Sequence, residues 1–184
     1  DATIYNRTIA ITEVNSQINE SNKNQMDTKQ YNLLAKPQFM PLFEEFTGTW
    51  CGWCVRGIVA MNRAHEQYGD KAAIIAVHND NSMGTDDYMP VIESFCNGYP
   101  SGVANRAGRT SIGTNTVVNS IKSTIDNVTP ASIEADACWA NVEQTEIRVD
   151  TKTTFQLNMS GNYVIAYVLT ADGLTGTGSA WAQS

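Results

Sequence analysis

A Cys-x-x-Cys pair, Cys51-Gly52-Trp53-Cys54, constrains this chain more than any other feature. The apolar run from Phe39 to Phe46 predicts a mostly buried strand before it, and Thr47 to Trp50 predict the turn that leaves this strand. The residues after the pair predict a helix that ends at Gly69. Its large apolar side chains share one side: Val55, Ile58, Val59, Met61 and Tyr68. The pattern is strand, cysteine-containing loop, helix.

The chain beyond this helix continues to alternate strands and helices. The continuous apolar run from Ala72 to Val77 predicts a strand covered on both faces, as parallel strands are. A short helix is predicted near Pro90 to Phe95 and a hairpin around Gly108. A longer helix starts at Thr114, and its apolar stripe continues to Val128. We therefore predict an α/β domain that opens with a βαβ unit.

Both ends of the chain have strand character. Residues 1–35 begin with a β-branched run, Thr3 to Ile11, and continue with a polar stretch that has little to bury. Beyond Pro130 three strands are predicted, at Ser132 to Cys138, Glu146 to Phe155 and Tyr163 to Thr170. About 55 residues of this kind make a poor independent core, so we expect both ends to belong to a longer protein. The predicted organisation is a β segment at 1–35, a central domain at 36–129 and a β appendage at 130–184.

Charge and hydropathy exclude two kinds of partner. The chain has 12 Lys and Arg against 19 Asp and Glu, a net charge of -7, which repels phosphate backbones. No cluster of basic residues offsets this charge locally, so nucleic-acid binding is disfavoured. No apolar run approaches the roughly 20 residues that a membrane helix needs, so the chain is not expected to span a membrane.

The spacing of the two cysteines fits thiol–disulfide exchange. Exchange needs a nucleophilic thiolate, a second thiol that can resolve the mixed disulfide, and stabilisation of negative sulfur. If Cys51 lies at the start of the helix, unpaired backbone N–H groups and the positive dipole end stabilise its thiolate. We predict Cys51 as the nucleophile and Cys54, one turn deeper, as the resolving thiol. A structural disulfide or half of a zinc site is the alternative, although no second Cys-x-x-Cys or His pair is present.

The run Phe46-Thr47-Gly48-Thr49-Trp50-Cys51-Gly52-Trp53-Cys54 resembles thioredoxin-like proteins, in particular the secreted, outer-membrane-protein-related class of Bacteroides-like bacteria. The resemblance covers roughly Lys36 to Val128. It implies a thioredoxin-like fold with a βαβ plus ββα core, and residues 14–20 and 173–184 resemble the immunoglobulin-like β segments that flank the domain in that class. It further implies a periplasmic or cell-surface, outer-membrane-associated protein. Its partners would be protein thiols or disulfides and an unidentified electron donor or acceptor, with no cofactor beyond a redox-active disulfide.

The resemblance also implies roles for residues around the pair. Thioredoxin-like folds place a cis proline opposite the cysteines, and Tyr99-Pro100 has the matching placement, with the Tyr99 backbone presented to substrate. Glu45 matches a buried acid that assists proton transfer from Cys54. Glu44 competes for this role, because adjacent strand residues face opposite sides of a sheet.

Trp50 and Trp53 are the candidate docking residues for substrate, although packing is the default interpretation for Trp50, Trp139 and Trp181. Gly52-Trp53 offers no cation to the thiolate, which leaves the redox direction open and favours a reductase or isomerase over a strong oxidase. The alternative function is a cell-surface structural or binding module in which the disulfide is inert.

Other chemically active residues have simpler interpretations. We interpret His78 as a solvated strand end and His65 as a partly buried packing residue. Cys96 and Cys138 are interpreted as packing residues, and a disulfide between them is conceivable. Oxygen-bearing side chains that could bind calcium cluster in the loop after the predicted strand: Asn79, Asp80, Asn81, Asp86 and Asp87. Their spacing does not match that of known calcium-binding loops, so no metal is predicted.

Overall fold

The computed structural model of the chain describes residues 9–10, 38–79, 83–156, 158, 160–178 and 181. These residues form a mixed α/β structure that divides into two compact units. The first unit holds the described residues from 39 to 126 and from 166 onward, and the second holds residues 9–10, 38 and the described residues from 127 to 165. The predicted strand from Thr3 to Ile11 lies outside the described residues except at 9–10, and the polar stretch after it lies wholly outside them.

The elements follow in chain order as β1 (Ile9–Ala10), β2 (Leu42–Thr47), α1 (Val55–Tyr68), β3 (Ala73–His78), α2 (Met89–Phe95), β4 (Ser101–Ala104), β5 (Arg109–Ser111), α3 (Thr114–Lys122), β6 (Ala131–Trp139), β7 (Ile147–Phe155) and β8 (Val164–Ile165). The predicted βαβ unit is confirmed as β2, α1 and β3. Helix α3 ends at Lys122, earlier than its predicted stripe. The predicted third appendage strand is reduced to the two residues of β8.

A four-stranded sheet in the order β3-β2-β4-β5 forms the centre of the first unit. Strand β2 runs parallel to β3 and antiparallel to β4, and β4 and β5 form an antiparallel hairpin. Strand β3 contacts the apolar layers on both faces of the sheet, as predicted, with Ile74 packed against one and Ile75 and Val77 against the other. The coverage is incomplete, because β3 is the edge strand of the described sheet and only Val77 in it is buried.

Two apolar layers sandwich the sheet. On one face Phe43 packs with residues of α1 and α3, and on the other Phe46 packs with Val77, Val103 and residues around α2. Full burial of one such aromatic or aliphatic side chain contributes about 1.5–3 kcal/mol. Adjacent residues of β2 therefore face two separate interiors, which decides the surroundings of its two glutamates.

Helix α1 faces the sheet with small side chains. Its buried residues are Gly57, Ala60 and Ala64, while Val55, Ile58 and Val59 are exposed. Of the large apolar residues that were predicted to share one side, these three are therefore exposed, whereas Met61 and Tyr68 are half-buried and Tyr68 packs against the core. The helix lies so close to β2 that a Cβ atom at Gly57 would come within 1.7 Å of the Glu45 Oε1. Only small residues fit this contact, so Val55, Ile58 and Val59 face outward.

The second unit contains a long antiparallel ribbon of β6 and β7, and β1 pairs with β8. Cys138 and Trp139, at the end of β6, are exposed, so the prediction that they pack was wrong. A two-stranded ribbon buries side chains only where another layer covers it. None of the helices that the structure describes is long and apolar enough to cross a membrane.

Candidate functional site

Cys51 and Cys54 form a disulfide at the start of a helical segment, with their Cα atoms 5.4 Å apart. The Cys51 N–H donates to the Gly48 carbonyl at 3.0 Å, which closes the turn after β2. One turn of 3-10 helix, Gly52–Cys54, then leads directly into α1, and the Cys54 N–H donates to the Cys51 carbonyl at 3.0 Å. The sequence prediction of strand, turn, cysteine pair and helix is confirmed.

The two cysteines differ in depth. Cys51 retains 5% of its surface exposure and Cys54 retains none. A thiol or disulfide arriving from solvent can therefore reach Cys51 first. Two exposed indoles adjoin the cysteines in sequence: Trp50, just before Cys51, is 59% exposed, and Trp53, just before Cys54, is 75% exposed. The default expectation that Trp50 packs in the interior was therefore wrong. The Arg56 guanidinium lies 5.8 Å from the centre of the Trp53 ring.

Trp50 is fixed in place despite its exposure. Its Nε1–H donates to the Asn79 carbonyl at 2.9 Å, and its ring meets the Tyr99 ring edge-on with centroids 5.1 Å apart. The ring also covers Gly48, where a Cβ atom would lie 2.5 Å from the Trp50 Nε1. Glycine at this position therefore allows the indole to lie over the backbone of the turn.

The Tyr99–Pro100 peptide bond is cis, as the resemblance implied. Strand β4 begins at the next residue, Ser101, which pairs with Phe46 of β2. The segment that carries Tyr99 therefore enters the sheet beside the end of β2 that leads to the cysteines. The Asn79 Nδ2 donates to the Tyr99 hydroxyl at 2.5 Å, and burial raises the pKa of Tyr99.

Glu45 is completely buried on the face of β2 that α1 covers. Neither carboxyl oxygen has a hydrogen-bond partner among the residues that the structure describes. Desolvation raises the pKa of Glu45 to about 8, because burial disfavours the charged form. Cys54 lies three residues before Gly57, which contacts the Glu45 carboxyl, so both face the sheet from the same side of the helical segment.

Glu44 is also completely buried, on the opposite face, but its charge is compensated. Arg106 donates to it through two nitrogens, at 2.9 and 2.8 Å, and the Tyr88 hydroxyl donates to the same carboxylate. Arg106 also donates to the Tyr88 oxygen at 2.9 Å. The hydrogen bond to Glu44 raises the pKa of Arg106, and burial together with Glu44 raises that of Tyr88. Of the two competing glutamates, only Glu45 keeps an unpaired carboxyl.

Cys96 lies beside Tyr99 and interacts with it, whereas Cys138 belongs to the second unit. Cys96 and Cys138 are free thiols, so the structure contains no disulfide between them. The Cys96 Sγ lies 3.4 Å from the Gly98 carbonyl and 3.6 Å from the Ser101 Oγ. His65 is exposed on α1, which contradicts its interpretation as a packing residue, because the side of α1 that faces the sheet is the one with small residues.

Sequence reasoning assigned no role at this site to Asn79 and did not single out Gly57 or Arg106. A signal for Asn79 was present, because it directly follows β3, and the carboxyl ends of parallel strands share an edge with the Cys51 loop. Gly57 and Arg106 had no such signal, since their contacts depend on how α1 and the β4–β5 hairpin pack.

Comparison with known proteins found matches among solved structures alone. No protein-family model matches the chain, and no curated protein matches it. Among solved structures, HBP35 of Porphyromonas gingivalis matches with 22% identity and a TM-score of 0.46, over 55% of this chain and 38% of that one. A malarial protein matches with 17% identity and a TM-score of 0.38, over 47% of this chain and 99% of that one. The chain thus spans well under half the length of HBP35.

Proposed function

We propose that the chain is a thiol–disulfide oxidoreductase of thioredoxin-like fold, a reductase or isomerase that acts on protein disulfides through Cys51 and Cys54. The observation that carries the proposal is the combination of a Cys51–Cys54 disulfide at a helix start with an unpaired, buried Glu45 beneath the same helical segment. A structural disulfide has no use for such a carboxyl, whereas a cycle that moves protons has one.

The exchange cycle assigns a step to each of the three groups. In the reducing direction the Cys51 thiolate attacks a substrate disulfide, forms a mixed disulfide and expels one substrate thiolate, which takes a proton from solvent. Glu45, in its carboxylate form, accepts the Cys54 proton, and the Cys54 thiolate attacks the Cys51 sulfur. The second substrate thiolate leaves, and the protein is left with its disulfide. Two electrons pass to the substrate, and an external dithiol donor returns them.

A pKa of about 8 suits Glu45 to this role, because the group exchanges protons near neutral pH. The exposed indoles of Trp50 and Trp53 support a polypeptide substrate, because each offers a large apolar surface beside the reactive sulfur. The proposal includes flanking immunoglobulin-like segments and a periplasmic or cell-surface, outer-membrane-associated location, both from the sequence resemblance. The boundaries 1–35, 36–129 and 130–184 belong to the same proposal.

A second candidate is a cell-surface structural or binding module in which the disulfide is inert. The low exposure of both sulfur-bearing residues favours it, because a buried disulfide is protected from solvent thiols. The two candidates differ in whether Cys51 ever bonds to another protein.

Trapping separates these functions. The Cys54→Ser variant keeps the nucleophile but cannot resolve the mixed disulfide, so the oxidoreductase accumulates covalent adducts on Cys51 when it is incubated with insulin. We expect an adduct that runs at the summed mass on a non-reducing gel and disappears with dithiothreitol.

The matched control is Cys51→Ser, which keeps the completely buried Cys54 and the exposed Cys138 thiol, so it measures the adduct that forms without Cys51 and should form less adduct than Cys54→Ser. Equal adducts from both variants would show that Cys51 is not the nucleophile. No adduct from Cys54→Ser would support the inert disulfide.

A further inference from the structure

We propose that Asn79 is a positioning residue that holds Trp50 and Tyr99 in a fixed relation beside Cys51 and thereby promotes exchange with polypeptide substrates. The inference rests on the proposed function for its catalytic consequence. Its structural part concerns hydrogen bonds and rings that can be tested without any turnover.

Asn79 is anchored to the sheet by its main chain. It directly follows β3, and its N–H donates to the Thr47 carbonyl at 3.0 Å, which extends the pairing of β2 and β3 by one residue. The next polar group of the same residue, its carbonyl, accepts the Trp50 Nε1–H at 2.9 Å. The backbone that holds Trp50 is therefore fixed to the strand that leads to the cysteines.

The side chain of Asn79 holds the second ring. Its Nδ2 donates to the Tyr99 hydroxyl at 2.5 Å, so one residue binds Trp50 through its carbonyl and Tyr99 through its amide. We call these two hydrogen bonds the Asn79 bridge. The bridge joins segments that lie 29 and 20 residues from Asn79 in sequence.

The bridge matters because the two rings depend on each other. They meet at an interplanar angle of 73°, a geometry in which the edge of one ring faces the π surface of the other. An exposed, unanchored indole samples several rotamers and loses that freedom when substrate binds, at a cost of about 0.5–1.5 kcal/mol. Holding Trp50 in place beforehand removes this cost for a substrate that contacts the indole.

We therefore expect the loss of the contact between Asn79 and Tyr99 to slow the reaction with a polypeptide substrate and to leave the intrinsic reactivity of the Cys51 and Cys54 sulfurs unchanged. Asn79→Ala removes the amide that holds Tyr99 and leaves Cys51, Cys54 and Glu45 unchanged. We expect the rate constant for insulin reduction to fall about fivefold, equivalent to about 1 kcal/mol, the usual net contribution of one hydrogen bond. The rate constant for reaction with dithiothreitol, which is small enough to reach Cys51 without the indole, should change by less than about twofold.

A double-mutant cycle isolates the hydrogen bond between Asn79 and Tyr99, while the main-chain hydrogen bond to Trp50 is kept in every variant. Tyr99→Phe removes the hydroxyl, which also interacts with Cys96, so the double variant Asn79→Ala/Tyr99→Phe should reduce insulin no more slowly than Tyr99→Phe alone. Asn115→Ala is the matched control, because Asn115 is an exposed asparagine of α3 in the same unit, and it should leave both rates unchanged. Equal loss with insulin and dithiothreitol, additive losses in the double variant, or no loss at all would each overturn the proposal.

A spectroscopic readout keeps this inference separate from the proposed function. The indole N–H resonance of Trp50, assigned by its disappearance in Trp50→Phe, lies in the ring current of Tyr99. It should shift in Asn79→Ala and in Tyr99→Phe, and stay in place in Asn115→Ala. If the wild-type protein fails to reduce insulin but these shifts occur, the proposed function fails and the bridge stands. If insulin is reduced but the resonance does not move, the positioning role is wrong.

Discussion

The two faces of strand β2 bury neighbouring glutamates in opposite ways. On the α2 face, Glu44 is bound by a bidentate Arg106 and by Tyr88, so its charge is compensated within the interior. On the α1 face, Glu45 is equally buried but has no partner among the described residues, and its pKa rises to about 8. The first arrangement pairs a buried charge, whereas the second keeps an unpaired titratable carboxyl against α1, at some cost in stability.

The largest expected effect concerns the pH dependence of stability. The Glu45 carboxyl has a pKa of 4.5 when unfolded and about 8 when folded, so between these values the folded state holds a proton that the unfolded state has released. Stability is therefore fully present below pH 4.5 and falls as the pH rises towards 8. The slope is about 1.4 kcal/mol per pH unit, a total on the order of 5 kcal/mol.

Glu45→Gln should remove this pH dependence, so that urea unfolding at pH 8 gives a more stable variant than the wild type. Its resolving step should be about 100-fold slower, because the proton acceptor is lost. Glu93→Gln, an exposed glutamate of α2, should match the wild type in both respects. A wild-type unfolding free energy that stays level between pH 5 and 8 would contradict the unpaired state of Glu45.

Removing the Arg106 guanidinium, which compensates the buried Glu44 carboxylate, should destabilise the fold strongly. Arg106→Met leaves the Glu44 carboxylate buried without its bidentate partner, and we expect a loss of about 3 kcal/mol in the free energy of unfolding at pH 7. Arg63→Met, which breaks an exposed pair with Glu66, should cost less than about 0.5 kcal/mol. Similar losses of unfolding free energy for the two variants, measured in urea, would mean that the buried Arg106–Glu44 pair stabilises the fold no more than the exposed Arg63–Glu66 pair does.

A methyl group at the contact between α1 and β2 should disturb the surroundings of the unpaired Glu45 carboxyl directly. In Gly57→Ala the new Cβ would lie 1.7 Å from the Glu45 Oε1, so the carboxyl or the helix must move. We expect a destabilisation of about 2 kcal/mol, measured by urea unfolding. Gly108→Ala should be close to neutral, because no atom of the described residues, apart from Gly108 and its chain neighbours, lies within 4 Å of the added Cβ. If the two alanine variants are equally stable, the close approach is absent.

The smallest effect is expected for the exposed indole of Trp53. Trp53→Ala removes an indole that lies between the cysteines and is 75% exposed, so it should leave stability unchanged and slow insulin reduction about threefold. Trp139→Ala removes an exposed indole of the second unit and should change neither quantity. Insulin kinetics that are equal in the two variants would remove Trp53 from the docking surface.

Local pattern was enough to predict much of this arrangement. Strand alternation correctly placed Glu44 and Glu45 on opposite faces, and the residues around the cysteines predicted the strand before them and the helix after them. The sequence pattern was misleading for α1, because its large apolar residues and its small ones both recur at helical spacing. Only the packing distance between α1 and β2 decides that Gly57, rather than Ile58, faces inward.

The sequence did not indicate which distant residues would contact each other, although it placed Asn79 at the same edge of the sheet as the Cys51 loop. Arg106 reaches Glu44 across 62 residues and Asn79 reaches Tyr99 across 20, and both depend on the assembled sheet. The cysteine pair was evident from its spacing in the sequence. Only some of the residues around the disulfide could be predicted, because the others reach it through contacts that form when the sheet assembles.

The reduction potential of the Cys51–Cys54 pair tests the central claim most directly. It can be measured by equilibrating the protein with defined ratios of reduced and oxidised dithiothreitol and counting the thiols that form. A catalytic pair should have a potential between about -120 and -270 mV, the range of enzymes that exchange disulfides. A potential below about -300 mV, together with no insulin turnover, would identify an inert structural disulfide and contradict the account.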